Sequence, residues 1–327
     1  MKGRTGGRSD GRTGGALLRR LLPLVALLSA SPPDRPSALA QQGPLTVFNA
    51  GSLARPVGEV LKAFKARFPK VDTRQENAGS LETVRKITDL GKVPDVVLLA
   101  DYQLIPRLLE PEHASWHAVF ARNAMVLAYT DRSKYAREIR QDNWWRVLTR
   151  PDVRTGRSDP ALDPNGYRTL MVLQLLEAAT GEIGLGLQLE RAMPPKYMRP
   201  KEADLIALLQ AGELDYAWSY ASIAGVTPGL RMLRLGPAVD LSESRLARQY
   251  SLALVKVRGP KGTTLTLTGE PIAYGFTIPR RAPNPEAAKA FTRFLFSPEG
   301  RAILTRNGLD VMWPIAPVGP APLGVFP

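Results

Sequence analysis

Between residues 45 and 100 the chain alternates strand and helix signals, an order that an open α/β sheet accommodates and few other architectures do. Leu45, Thr46, Val47 and Phe48 form a short β-rich run that ends at Asn49-Ala50-Gly51-Ser52. Behind it, Val57, Val60, Leu61, Phe64 and Phe68 recur at the spacing of one helical face. A second strand is expected over residues 71–75, closing at Asn77-Ala78-Gly79-Ser80, after which Leu81, Val84, Ile87 and Leu90 return to helical spacing. Residues 96–100 are continuously apolar and Asp101 follows them, as suits a parallel strand buried on both faces. The β-α-β-α-β series predicts an α/β fold with right-handed crossovers. Further on, residues 124–129 read as a strand crossing into a second lobe. Helices are expected over 167–177, 202–210 and 285–295, and strands over 214–220 and 272–278. The Pro/Gly-rich stretch from Pro314 reads as an extended arm.

The first forty residues have a different character. Lys2, Arg4, Arg8, Arg12, Arg19 and Arg20 precede the short apolar run of residues 21–28, and Ala38-Leu39-Ala40 supplies a small-x-small site. That order is the signature of an export signal. The run falls well below the ~20 apolar residues of a spanning helix. Sec and twin-arginine routes both remain open. Cleavage after Ala40 removes seven basic and two acidic residues, which lowers the formal charge from +14 to +9. The mature chain is therefore expected in the periplasm or another extracytoplasmic space. Its positive balance favours encounter with anions without choosing one.

Composition closes most catalytic routes. The 327 residues include no cysteine, so a disulfide framework, a thiolate metal site, a Cys nucleophile and a lipoprotein anchor are all excluded. The only histidines are His113 and His117. Their spacing could hold a metal on a helix, but the His-Glu-x-x-His order is absent and a surface or interface pair is the better reading. Trp144-Trp145 and the charged run of 137–140 read as packing and surface features. Basic residues spread along amphipathic helices do not make the clustered patch of a nucleic-acid binder.

What remains is carried by two junctions. Gly51-Ser52 and Gly79-Ser80 each follow a strand and open a helix. A helix start offers unpaired N–H groups and partial positive charge to an anion, glycine lets the backbone come close, and serine adds a hydroxyl. In an open α/β sheet such carboxyl ends of strands line the ligand crevice. Each serine could equally be an ordinary helix cap. A secreted serine hydrolase using Ser52 or Ser80 is the competing reading, but Gly-Ser-Leu supplies no nucleophile elbow and no His base stands nearby in sequence.

Beyond these junctions the chain resembles the tungstate/molybdate-binding proteins of the WtpA type, relatives of the molybdate-binding ModA proteins. The resemblance spans residues 45–310. It rests on Asn49-Ala50-Gly51-Ser52-Leu53, Ala78-Gly79-Ser80, Pro94-Asp95-Val96 and Phe120-Ala121-Arg122-Asn123. It continues through 156–160, Asp163-Pro164-Asn165-Gly166-Tyr167-Arg168, 199–202 and 215–222. It implies a type II periplasmic-binding fold, with two lobes, a hinge and a ligand cleft between them. Lobe 1 is expected over 44–128 and 254–313, lobe 2 over 129–253, and a tail over 314–327. It also implies a non-enzymatic, monomeric receptor without cofactor that hands tungstate or molybdate to an ABC permease. Sulfate or phosphate is the alternative cargo. By the same resemblance, Gly51, Ser52, Ser80, Asn165 and Tyr220 contact the oxyanion, while Asp163 and Glu202 approach the metal centre as ligands. The stretch between Asp163 and Glu202 is shorter than in typical archaeal members.

Overall fold

The computed structural model describes residues 42–327; the expected export signal lies outside them. In chain order the strands are β1 (Gly43–Ala50), β2 (Val71–Ala78), β3 (Val96–Leu99), β4 (His117–Arg122), β5 (Met125–Tyr129), β6 (Thr155–Ser158) and β7 (Met198–Arg199). They continue with β8 (Tyr216–Tyr220), β9 (Arg231–Arg234), β10 (Leu254–Arg258), β11 (Thr264–Thr268), β12 (Ala273–Thr277), β13 (Asp310–Val311) and β14 (Pro317–Val318). The first sheet has the order β13-β4-β12-β3-β1-β2, with β14 also on β4; the second has the order β7-β6-β8-β5-β9.

In the first sheet β1 lies parallel to β2 and β3, as its alternation with helices predicts, whereas β12 runs antiparallel to β3 and β4. The β1–β2 register matters most. It pairs Gly43 with Val71 and ends with Ala50 opposite Ala78. Gly51-Ser52 and Gly79-Ser80 therefore leave the sheet side by side, about one strand spacing apart. The helix Ala54–Arg67 covers this sheet with Val57, Val60, Leu61 and Phe64, all buried, as their spacing requires. Helix Pro285–Leu295 packs beside it through Phe291 and Phe294, whose rings lie 5.5 and 5.7 Å from that of Phe64.

The chain passes between the sheets twice. The first crossing is at 123–124, because all of β5 belongs to the second sheet, pairing Met125 with Tyr220 and Tyr129 with Tyr216. This places the crossing ahead of the expected 128/129 boundary. The return runs through 241–272, where Ile272 N–H donates to the Leu241 carbonyl and Asn123 N–H to that of Ile272. Strands β10 and β11, expected within the first lobe, pair only with each other.

Two further expectations need correction. His113 and His117 do not share a helix: His117 opens β4, is buried, and sets Nδ1 2.9 Å from Glu110 Oε1. The carboxylate and the strand ladder together hold that ring inside rather than on the surface. The tail is not a free arm either. β14 pairs with β4, Val325 is fully buried, and the Phe326 ring lies 6.2 Å from that of Trp116. Apolar side chains at its end give the tail a reason to fold back. No helix among the described residues is long and apolar enough to cross a membrane.

Candidate functional site

The two sheets meet where β1, β2, β3 and β8 end. Gly79 precedes the helix Ser80–Thr88 with φ −60° and ψ 149°. A Cβ built there falls 2.2 Å from the Leu162 carbonyl oxygen, so only glycine admits the 159–163 turn at this distance. Glu82 N–H donates to that same carbonyl at 3.2 Å. At the neighbouring junction, a Cβ on Gly51 would lie 3.5 Å from that of Lys201. The helix starts of the first sheet thus touch the turn carrying Asp163 and the turn carrying Glu202.

Asp163 caps the helix Pro164–Thr180, its Oδ1 accepting from Asn165 N–H at 2.8 Å. Its Oδ2 accepts from Glu202 N–H at 3.4 Å. Glu202 opens the helix Glu202–Ala211, and its Oε1 takes two donors, the Ser219 hydroxyl at 2.5 Å and Tyr220 N–H at 2.6 Å. Among the described residues its Oε2 is buried without a hydrogen-bond partner, as is Asn165 Nδ2. Burial pushes the Glu202 carboxyl up to about 8, despite its two donors and with the Asp163 charge adding to the rise. Burial likewise raises Asp163 to about 6, against the pull of the Asn165 and Glu202 N–H groups and Arg168. With Oε1 already accepting two hydrogen bonds, the proton of neutral Glu202 belongs on Oε2, the oxygen without a hydrogen-bond partner among the described residues.

The three hydroxyls of the cluster share one arrangement. Ser80 Oγ accepts from Ala100 N–H at 3.0 Å. Tyr220 Oη accepts from Arg168 Nη1 at 2.9 Å. Ser52 Oγ accepts from the Tyr274 hydroxyl at 3.0 Å. The last of these follows from Asn123, whose Oδ1 accepts from the N–H groups of Ala124 and Ser222, leaving Nδ2 to donate to Ser222 Oγ and Tyr274 Oη at 2.8 Å each. Tyr274 Oη, receiving that proton, must give its own to Ser52. Each hydroxyl accepts one hydrogen bond and donates none among the described residues, so its proton is free for a guest. The cluster therefore offers three hydroxyl donors and the Asn165 amide, beside one unpartnered carboxyl oxygen.

The residues singled out in the sequence, Gly51, Ser52, Ser80, Asp163, Asn165, Glu202 and Tyr220, all border this junction. The shortened connection before Glu202 does not displace it, since Glu202 is buried beside Asp163. Sequence reasoning missed Arg168, Tyr274 and Asn123. Arg168 and Asn123 lay within the quoted motifs, but nothing in either motif distinguishes a residue that reaches a guest from one that orders its neighbours.

Residues 45–310 match the family model described as bacterial extracellular solute-binding protein. The chain belongs to that family. An uncharacterized solute-binding protein of Petrotoga mobilis is 45% identical over 81% of this chain and 83% of its own length. The molybdate/tungstate-binding protein WtpA of Pyrococcus abyssi is 36% identical over 85% of this chain and 87% of its own. Among solved structures, the sulfate-binding protein SubI of Mycobacterium tuberculosis superposes with a TM-score of 0.60 at 14% identity, over 84% of this chain and 88% of that one. At such identity the likeness concerns the fold alone, a two-lobed α/β architecture. Membership also makes the protein an extracellular solute-binding protein.

Proposed function

We propose that the junction between the sheets is a binding site for tungstate or molybdate, and that the protein delivers the anion to an ABC permease. The observation that carries this reading is that the hydroxyls of Ser52, Ser80 and Tyr220 each accept one hydrogen bond at this junction, where the buried Glu202 Oε2 and Asn165 Nδ2 have no partner among the described residues. The kinship with WtpA supports the choice of cargo. In this reading Ser52 and Ser80 donate to oxo groups, as do Tyr220 and Asn165, with Gly51 allowing close backbone approach. Carboxylates repel a dianion, so Asp163 and Glu202 serve it as ligands of the hexavalent metal through oxygen; otherwise at least one must be protonated or turned away. Sulfate and phosphate cannot accept added ligands in that way, and the same pair therefore selects against them. The sheets act as lobes hinged at 123–124 and 241–272, closing on the anion. Export by the N-terminal signal and action as a monomer complete the proposal.

The hydrolase alternative is disfavoured by geometry, since the groups bonded to Ser52 Oγ and Ser80 Oγ are a tyrosine hydroxyl and a backbone amide, neither of them a base. Ser52→Ala and Ser80→Ala are each expected to lose a charge-assisted hydrogen bond, about 1.5–3 kcal/mol of tungstate affinity by calorimetry. Undiminished affinity in both variants would remove the site from this junction.

A further inference from the structure

Arg168 is a buried cation with no assigned task, and its contacts reach both sheets. Its Nη1 donates to the Ala100 carbonyl, just past the end of β3, at 2.8 Å, and to Tyr220 Oη, at the end of β8, at 2.9 Å. Its Nη2 lies 3.7 Å from Asp101 Oδ1. The Asp101 Oδ2 in turn accepts from the Tyr167 hydroxyl at 2.5 Å. Residues 167 and 168 sit on the helix Pro164–Thr180, whereas residues 100 and 101 follow β3 of the first sheet. Residue 100 is the point of convergence, because its carbonyl takes Arg168 while its N–H, in the preceding peptide, donates to Ser80 Oγ.

We propose that Arg168 is a positioning residue which, on closure, orients one hydroxyl from each side of the cleft without touching the anion. This rests on the oxyanion reading of the site. The two Nη1 hydrogens are divided between the sheets, one on Ala100 and one on Tyr220. The first holds residue 100 in place at the end of β3, so that its N–H, in the preceding peptide, meets Ser80 Oγ and leaves the Ser80 proton for the cleft. The second fills the Tyr220 lone pair and turns that proton the same way. Both bonds exist together only while the helix Pro164–Thr180 rests against the end of β3. Asp101 and Tyr167 hold the guanidinium there, and a buried cation stays charged in such company: burial opposes it, but the Tyr220 and Asp101 oxygens keep its pKa above the ordinary guanidinium value. Separation of the sheets breaks the Ala100 and Asp101 contacts at once, so orientation of the donors and closure become one event.

The test is a double-mutant cycle on the mature protein, read by tungstate calorimetry, with thermal midpoints recorded for every variant. Arg168→Lys keeps the charge beside Asp101 but cannot span Ala100 and Tyr220 with one planar fork. It is expected to fold with an unchanged midpoint and to bind tungstate about tenfold or more weakly. Combined with Tyr220→Phe, the losses are expected to fall short of additive, because the lysine variant has already lost the orientation of that hydroxyl. Tyr167→Phe, which touches neither hydroxyl, repeats the experiment with a milder change and is expected to weaken binding in the same sense. Wild-type affinity in Arg168→Lys, or full additivity with Tyr220→Phe, overturns the proposal. Failure of the wild-type protein to bind tungstate at all would instead refute the oxyanion reading beneath it.

Discussion

Replacing Glu202 by glutamine is expected to weaken tungstate binding by about 100-fold, since even the outer partners that orient metal ligands cost about 10–100-fold when lost, and to abolish a proton release that accompanies binding in the wild type. In the empty site Glu202 titrates near 8, so at pH 7 most molecules hold its proton. Ligation requires the carboxylate, and the anion must therefore expel that proton. Calorimetry at pH 7 in buffers of different ionisation enthalpy should report close to one proton released, falling toward none well above pH 8. Asp163, near 6, is mostly ionised already and adds little at that pH. A wild-type protein that binds tungstate without releasing a proton would show that Glu202 donates to an oxo group instead of ligating the metal. The same raised pKa acts on stability. The folded empty protein binds more protons than the unfolded chain between about pH 4.5 and 8, so its stability falls as pH rises through that window. The slope approaches about 1.4 kcal/mol per pH unit for one proton, and Glu202→Gln should flatten it.

Gly79→Ala is expected to be nearly as damaging to binding while leaving the fold intact. The φ and ψ of Gly79 suit alanine, so the helix start itself is unstrained. What alanine cannot do is share space with the Leu162 carbonyl, 2.2 Å from the built Cβ. The 159–163 turn must withdraw by about an ångström to restore ordinary contact, taking Asp163 with it and breaking the Glu82–Leu162 hydrogen bond. A displacement of about 1 Å in a site of this kind costs on the order of 100-fold. The three atoms nearest the built Cβ all belong to residues 162–163 of that turn, so the strain is relieved by its withdrawal, and the lost freedom of the unfolded chain favours alanine by about 0.4–1 kcal/mol. The thermal midpoint of the ligand-free variant should therefore hold or rise while tungstate affinity collapses. A stable Gly79→Ala protein with wild-type affinity would show that this approach of the sheets is not required for binding.

Much of the first sheet can be read directly from residues 45–100, because Val57, Val60, Leu61 and Phe64 state a helical face and residues 96–99 state a buried strand. The two Gly-Ser junctions were legible for the same reason, being defined by local chain chemistry. Their adjacency was not, since it depends on the β1–β2 register that sets Ala50 beside Ala78. The β10–β11 hairpin is written in alternation, with Val255, Val257, Leu265 and Leu267 buried between exposed neighbours. A reading tuned to alternating strands and helices passes over it. Arg168, Tyr274 and Asn123 were hidden for a different reason. Tyr274 lies 222 residues from the serine it orients, and Arg168 is 68 residues from Ala100. Their work is to fix the polarity of hydrogen bonds, which leaves no periodicity and no spacing in the sequence.

The central claim is that a tungsten- or molybdenum-centred oxyanion, rather than any small dianion, is the cargo. A competition titration of the mature protein tests it most directly, following tungstate binding by calorimetry in the presence of sulfate. The account predicts saturable tungstate and molybdate binding that equimolar sulfate leaves unchanged, because sulfate cannot take the two carboxylates as ligands and meets the Asp163 charge instead. Displacement of tungstate by sulfate at equal concentration would contradict it.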